Sequence, residues 1–151
     1  MINLDRDLTQ ASKNMGAVRV KVKLTNAIDE ALVSRGVLNP NLLRVYEAEA
    51  LIDDSGAVRT ALPADVVEQL GLRIRSQAIA KYADGRQETV GLTGPIIIEL
   101  EGRETIEAAM VLGDMVLIGQ TVLETLDLLV DCKNQRLIPN PENPERPVLR
   151  V

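Results

Sequence analysis

Histidine, phenylalanine and tryptophan are absent from this 151-residue chain, and it has two tyrosines and one cysteine. Without histidine there can be no Ser-His-Asp triad, no Cys-His dyad and none of the common zinc sites. Acid–base work near neutral pH falls to carboxylates, lysines, tyrosines or the one thiol. Two tyrosines cannot build a platform for stacking bases, and the net charge of −5 opposes a phosphate-binding surface, so no nucleic-acid partner is expected. A single cysteine, Cys132, excludes an internal disulfide and fits a reducing compartment. It closes an apolar stretch, between Asp131 and Lys133, and reads as a structural thiol. No apolar run reaches the length of a membrane span, and the first residues lack an apolar signal core. The expectation is a soluble, cytoplasmic protein with no membrane partner.

Val, Leu and Ile dominate what is present, and 46% apolar content fills the core of one domain. Residues 1–16 are polar without a clear period and read as an N-terminal tail. From Ala17 to Thr25, Val and Leu alternate with Arg19, Lys21 and Lys23. That period of two predicts a strand with its basic stripe on the solvent face. Asn26 to Asn41 is mixed, with room for a short helix over Asp29–Ser34 stopped at Gly36. Leu42 to Ile52 reads as a strand that delivers the chain into Asp53-Asp54-Ser55-Gly56-Ala57. Leu62-Pro63 opens and Gly71 closes a helical segment. Ile74 to Thr93 reads as a hairpin turning at Ala83-Asp84-Gly85-Arg86. Pro95 to Leu112 suggests a second hairpin, with Ile96-Ile97-Ile98 deeply buried. Thr121 and Glu124 have capping-box spacing, predicting a helix that starts at Thr121 just after Gly119. Asp131 and Asp114 read as turn residues. Lys133-Asn134-Gln135 turns the chain back into Arg136-Leu137-Ile138. Four prolines from Pro139 onward exclude regular structure, leaving residues 139–151 as a Pro-rich tail that is loose or lies on a neighbour. Many short strands with few helices make an all-β domain over 17–138.

An Asp-Ser-Gly brought in by an apolar strand is a way to hold a carboxylate rigidly at the floor of a cleft. Taken alone, Asp54-Ser55-Gly56 is an ordinary turn. It stands, however, in an ordered set of four blocks: Ala50 to Ala57, Leu62 to Leu72, Val111 to Leu123 with its Leu117-Ile118-Gly119, and Val130 to Pro141. This set resembles the retropepsin-like aspartic proteases, particularly small bacterial and cyanobacterial members, over Ala17 to Pro141. The resemblance implies a closed β-barrel-type domain with a flap hairpin and one or two short helices. It also implies a homodimeric aspartic endopeptidase, since one Asp-Ser-Gly per chain requires the second carboxylate from another copy. Asp54 would supply the carboxylate, Ser55 would bond across the dimer, Gly56 would let its backbone approach the Asp oxygens, and Ala57 would fit a tight corner. Ala83, Asp84, Gly85 and Arg86 would form a flap over a polypeptide substrate. Gly119 would pack beneath the active-site loop. No metal or cofactor is implied. One departure stands out. The residue before the catalytic Asp is usually apolar in this family, and here it is Asp53. Asp53 is therefore the runner-up for the catalytic position, and the alternative function is a catalytically weak or inactive peptide-binding module of the same fold.

Overall fold

A computed structural model describes residues 17–53 and 57–151; residues 1–16 and 54–56, and the side chains of Ala17 and Asp53, lie outside the description. The expected N-terminal tail thus falls outside it. The first strand, β1 (Ala17–Asn26), runs as its alternation predicts. Val18, Val20, Val22 and Leu24 are buried, and Arg19, Lys21 and Lys23 are exposed. It lies antiparallel to β2 (Val45–Asp53), which sets Lys21 opposite Glu49 and Lys23 opposite Glu47. On its other side β6 (Ile96–Leu100) sets Glu99 opposite Lys23. The basic stripe thus faces glutamates on both flanking strands, with an ion pair from Arg19 to Glu49 at 3.5 Å. Each exposed cross-strand pair contributes only about 0.2–1 kcal/mol.

Asn26 ends β1 and starts α1 (Ala27–Ser34), its side-chain oxygen accepting from the N–H groups of Ile28 and Asp29 at 3.0 and 3.1 Å. The helix therefore begins two residues earlier than the hydrophobic pattern suggests, because the capping residue is the last residue of a strand. Gly36, at φ +75°, ends it as expected, with Val37 N–H bonding back to Leu32 O at 2.9 Å. A single 3-10 turn, Pro40–Leu42, follows, so β2 starts at Val45 and not at Leu42.

After β2 come β3 (Ala61–Leu62), α2 (Ala64–Gln69), and the hairpin of β4 (Ile74–Lys81) and β5 (Gln87–Thr93). The second hairpin joins β6 to β7 (Arg103–Glu107), and β8 (Met110–Val111) follows it. Then come β9 (Leu117–Ile118), α3 (Gln120–Leu126) and the hairpin of β10 (Leu128–Asp131) with β11 (Arg136–Pro139). Nine strands form one sheet in the order β4-β5-β8-β3-β9-β2-β1-β6-β7, and β10 with β11 form a separate pair. The all-β expectation holds. The sheet curls into a half-barrel with β4 and β7 as edge strands, where a closed barrel was expected. Three helices are present among the described residues, where the resemblance implied one or two; α1 is the short helix for which the sequence left room.

The concave side of the sheet is filled by fully buried Leu24, Ile52, Leu62, Ile96, Ile98 and Leu126, joined by Leu70 from the end of α2. Of the Ile96-Ile97-Ile98 run, the first and third residues are buried and Ile97 is half-buried, as a period of two requires. Asp127, in the left-handed region at φ +54°, ends α3 and holds the chain that follows β11. Its carboxylate accepts from Asn140 Nδ2 (3.0 Å), Asn143 Nδ2 (2.7 Å) and Val148 N–H (3.2 Å). Arg103, buried at 9% exposure, donates to Leu126 O and Asn143 O, both at 2.9 Å. The Pro-rich segment has no helix or strand beyond Pro139, yet it is bonded to its own domain as far as Val148.

Candidate functional site

Asp54, Ser55 and Gly56 lie outside the described residues, but the frame on both sides of them is defined. On the upstream side, β2 pairs with β1 in unbroken register from Val45 opposite Thr25 to Asp53 opposite Ala17. No bulge interrupts the strand. Asp53 is the last residue of β2 in this register.

On the downstream side the backbone of residues 57–60 is clamped. β9 runs parallel to β2, with Leu51 opposite Leu117 and Ile52 opposite Ile118, and antiparallel to β3, with Ala61 opposite Leu117. The chain leaves through β2 and, after residues 57–60, returns as β3, with β9 between the two strands. Gly119 follows β9 directly. A Cβ added there would lie 2.5 Å from Arg59 C, 2.5 Å from Val58 O and 2.6 Å from Thr60 N, so only glycine allows the loop to sit this close. Gly119 N–H donates to Thr60 Oγ1 at 3.0 Å, and Thr60 is fully buried.

The start of α3 is satisfied by the same loop. Gln120 N–H donates to Ala57 O at 2.9 Å and Thr121 N–H to Val58 O at 3.2 Å. The expected capping box is not formed: the cap is Gly119, without a side-chain bond, and Thr121 lies inside the helix. Loop carbonyls already occupy the free N–H groups that a capping side chain would serve. Thr121 Oγ1 instead lies 2.9 Å from Glu107 Oε1 and 3.2 Å from Val58 O, its one proton serving either. Ala57 is half-buried against this helix end.

Fully buried Leu51 gathers half-buried Met115 and Leu117 into a small apolar cluster apart from the main core, beside the end of β2. Met115 was legible in the sequence as part of the stretch that runs into Gly119. Its signal was the apolar run Met115–Ile118.

Ala83, Asp84, Gly85 and Arg86 form the tip of the β4–β5 hairpin, as expected. Tyr82 N–H bonds to Arg86 O and Gly85 N–H to Tyr82 O, both at 2.9 Å, with Gly85 at φ +89°. Asp84 Oδ1 accepts from Arg86 N–H at 3.0 Å, and the two side chains form an ion pair. Arg86 also lies over the Tyr82 ring, 5.6 Å from its centre. Tyr82 donates its hydroxyl to Glu88 Oε2 at 2.6 Å. Burial, then the Glu88 carboxylate, pushes the Tyr82 phenol up to about 12. Glu88 was missed because it pairs diagonally across the turn. β5 and β4 form one end of the sheet, separated from β2 by β8, β3 and β9.

Where this hairpin meets the body there is an open groove of about 350 Å³, lined by Arg75, Leu92, Pro95, Ile106 and Glu107 among others. Among the described residues no three Cys, Asp or Glu side chains converge as a metal site. No helix among them is long and apolar enough to cross a membrane. The chain matches no known protein-family profile and no curated protein.

Proposed function

We propose that this chain is an aspartic endopeptidase of the retropepsin-like type that works as a homodimer on polypeptides, in the cytoplasm. The observation that carries the reading is β9 threaded between β2 and β3, with Gly119 seated under the loop that follows Asp54-Ser55-Gly56. Such a frame fixes the backbone up to Asp53 and again from Ala57 onward. It supports a carboxylate placed with little freedom, the condition for orienting a water molecule.

Each chain brings one Asp-Ser-Gly, so two chains are needed. Two carboxylates a few Å apart resist joint ionisation and share one proton, the behaviour for which aspartic proteases are the standard example. The ionised member takes a proton from the attacking water. The protonated member hydrogen-bonds the scissile carbonyl oxygen. Asp54 is the carboxylate in this reading and Asp53 the runner-up. Half-buried Met115 and Leu117, backed by buried Leu51, offer an apolar wall for a substrate side chain, and the Ala83–Arg86 tip covers an extended peptide.

Cleavage of an unfolded protein at mildly acidic pH tests this. Asp54→Asn abolishes cleavage and Asp53→Asn leaves measurable activity. If each single variant still cleaves, the catalytic assignment to these residues fails; a wild-type chain that binds peptide without cleaving it leaves the alternative of a peptide-binding module standing. Sedimentation at working concentration checks the dimer.

A further inference from the structure

The β4–β5 hairpin is weakly tied to the rest of the sheet. Among the described residues β4 has only β5 beside it, and β5 reaches β8 through the single pairing of Leu92 with Met110. One root of the hairpin is fixed at β5: Thr93 N–H donates to Ala109 O at 2.9 Å, and Ala109 N–H returns to Thr93 Oγ1 at 3.0 Å. The other root is the Gly71-Leu72-Arg73 link from α2 into β4, and it rests on residues from the α1 region.

Asn26 donates Nδ2 to Leu70 O at 2.8 Å. Arg44 lies directly beneath Gly71: a Cβ at position 71 would fall 1.7 Å from Arg44 Nη1. The guanidinium is held there by Asp29, which accepts from Nε and Nη2 at 2.8 Å each and from the Arg44 N–H at 3.1 Å. Asp29 takes the outer fork of the guanidinium and turns Nη1 toward Gly71. Lysine has no fork and could not be aimed in this way. Gly71 itself is at φ +61°, a conformation that leaves room for the guanidinium and redirects the chain toward β4.

We propose that Arg44, aimed by Asp29, is a positioning residue that sets the angle at which the β4–β5 hairpin leaves the body, and so its closure over a bound peptide. This rests on the reading of the hairpin as the cover of a peptide cleft. A loosened root leaves the carboxylates untouched and weakens the hold on substrate.

The test pairs amide exchange with kinetics on the full chain. Arg44→Met raises exchange in β4 and β5 several-fold relative to β1 and β2, because the Gly71 root loses the guanidinium packed against it. Arg44→Lys gives most of the same loosening while keeping the charge. Gly71→Ala also loosens the hairpin, and combining it with Arg44→Met gives less than the product of the two effects, because both act at one contact. With an unfolded-protein substrate, KM rises several-fold in Arg44→Met while kcat is largely kept. Unchanged hairpin exchange, or an even rise across all strands, overturns the proposal. A wild-type chain that hydrolyses nothing overturns the peptidase reading alone, since the exchange pattern still judges the role of Arg44.

Discussion

Gly119 and Thr60 hold each other across the floor of the candidate site. The glycine N–H bonds to the threonine hydroxyl at 3.0 Å, and the absent glycine side chain leaves the space in which the Val58–Thr60 backbone lies. The atoms that a Cβ would strike are backbone atoms, which cannot swing aside.

Gly119→Ala therefore costs at least about 1–3 kcal/mol as an overpacked contact. Thr60→Ala leaves a buried N–H unpaired and costs about 1–3 kcal/mol as well. Denaturant unfolding of both variants measures this. Equal stability with wild type in both would mean the loop is not clamped.

Asp29 is held below the ordinary carboxylate value of 3.8, chiefly by the Arg44 hydrogen bonds. A depressed folded pKa contributes stability that is fully present above the unfolded value and is lost as pH falls through the folded one. Asp29→Asn should cost about 1–3 kcal/mol at neutral pH, with the gap from wild type closing only below 3.8. Unfolding midpoints across an acid series read this directly. A constant gap down to strong acid would show that the charge is not involved.

Tyr82 is pushed the other way, to about 12, by burial first and by Glu88 second. Its protonated form is the folded partner, so the stabilisation is present below the unfolded value and fades as pH rises through about 12. Subtracting a Tyr82→Phe titration from that of wild type isolates one phenolate step with that high midpoint. In Glu88→Gln the step moves only part of the way back, because burial remains. A step at the value of a free tyrosine would place the ring in solvent.

Residues beyond Pro139 are bonded into the domain through Asp127 and Arg103. A chain ending at Pro139 strips partners from both side chains and should lose about 1–3 kcal/mol. Arg103→Met should lose a comparable amount, and the two losses should overlap when combined. Thermal unfolding of the set decides the matter. A truncated chain as stable as the full one would make the segment dispensable.

Features governed by local rules were legible in the sequence. The Val and Lys alternation of β1 needs only the period of a strand, and Asp84-Gly85 is the turn it spells. Gly36 and Gly71 mark helix ends by their positive φ. Contacts between distant residues were not legible. Asn26 serves both a strand and a helix cap, so α1 lost its start signal. The spacing of Asp29 and Arg44 matches no helical or strand period, and their pairing exists only once the turn at Pro40 brings them together. Thr121 has the right spacing for a cap, but the 57–60 loop occupies those N–H groups first. Gly119 was found through the ordered blocks, since its neighbours at 58–60 are distant in sequence.

The threading of β9 also governs timing. β2 and β3 leave an unfilled slot until Leu117 and Ile118 have been made and have slid between them, a non-local pairing that folds slowly. A chain still emerging from the ribosome holds β2 against β1 on one side and leaves its other edge open until β9 is made.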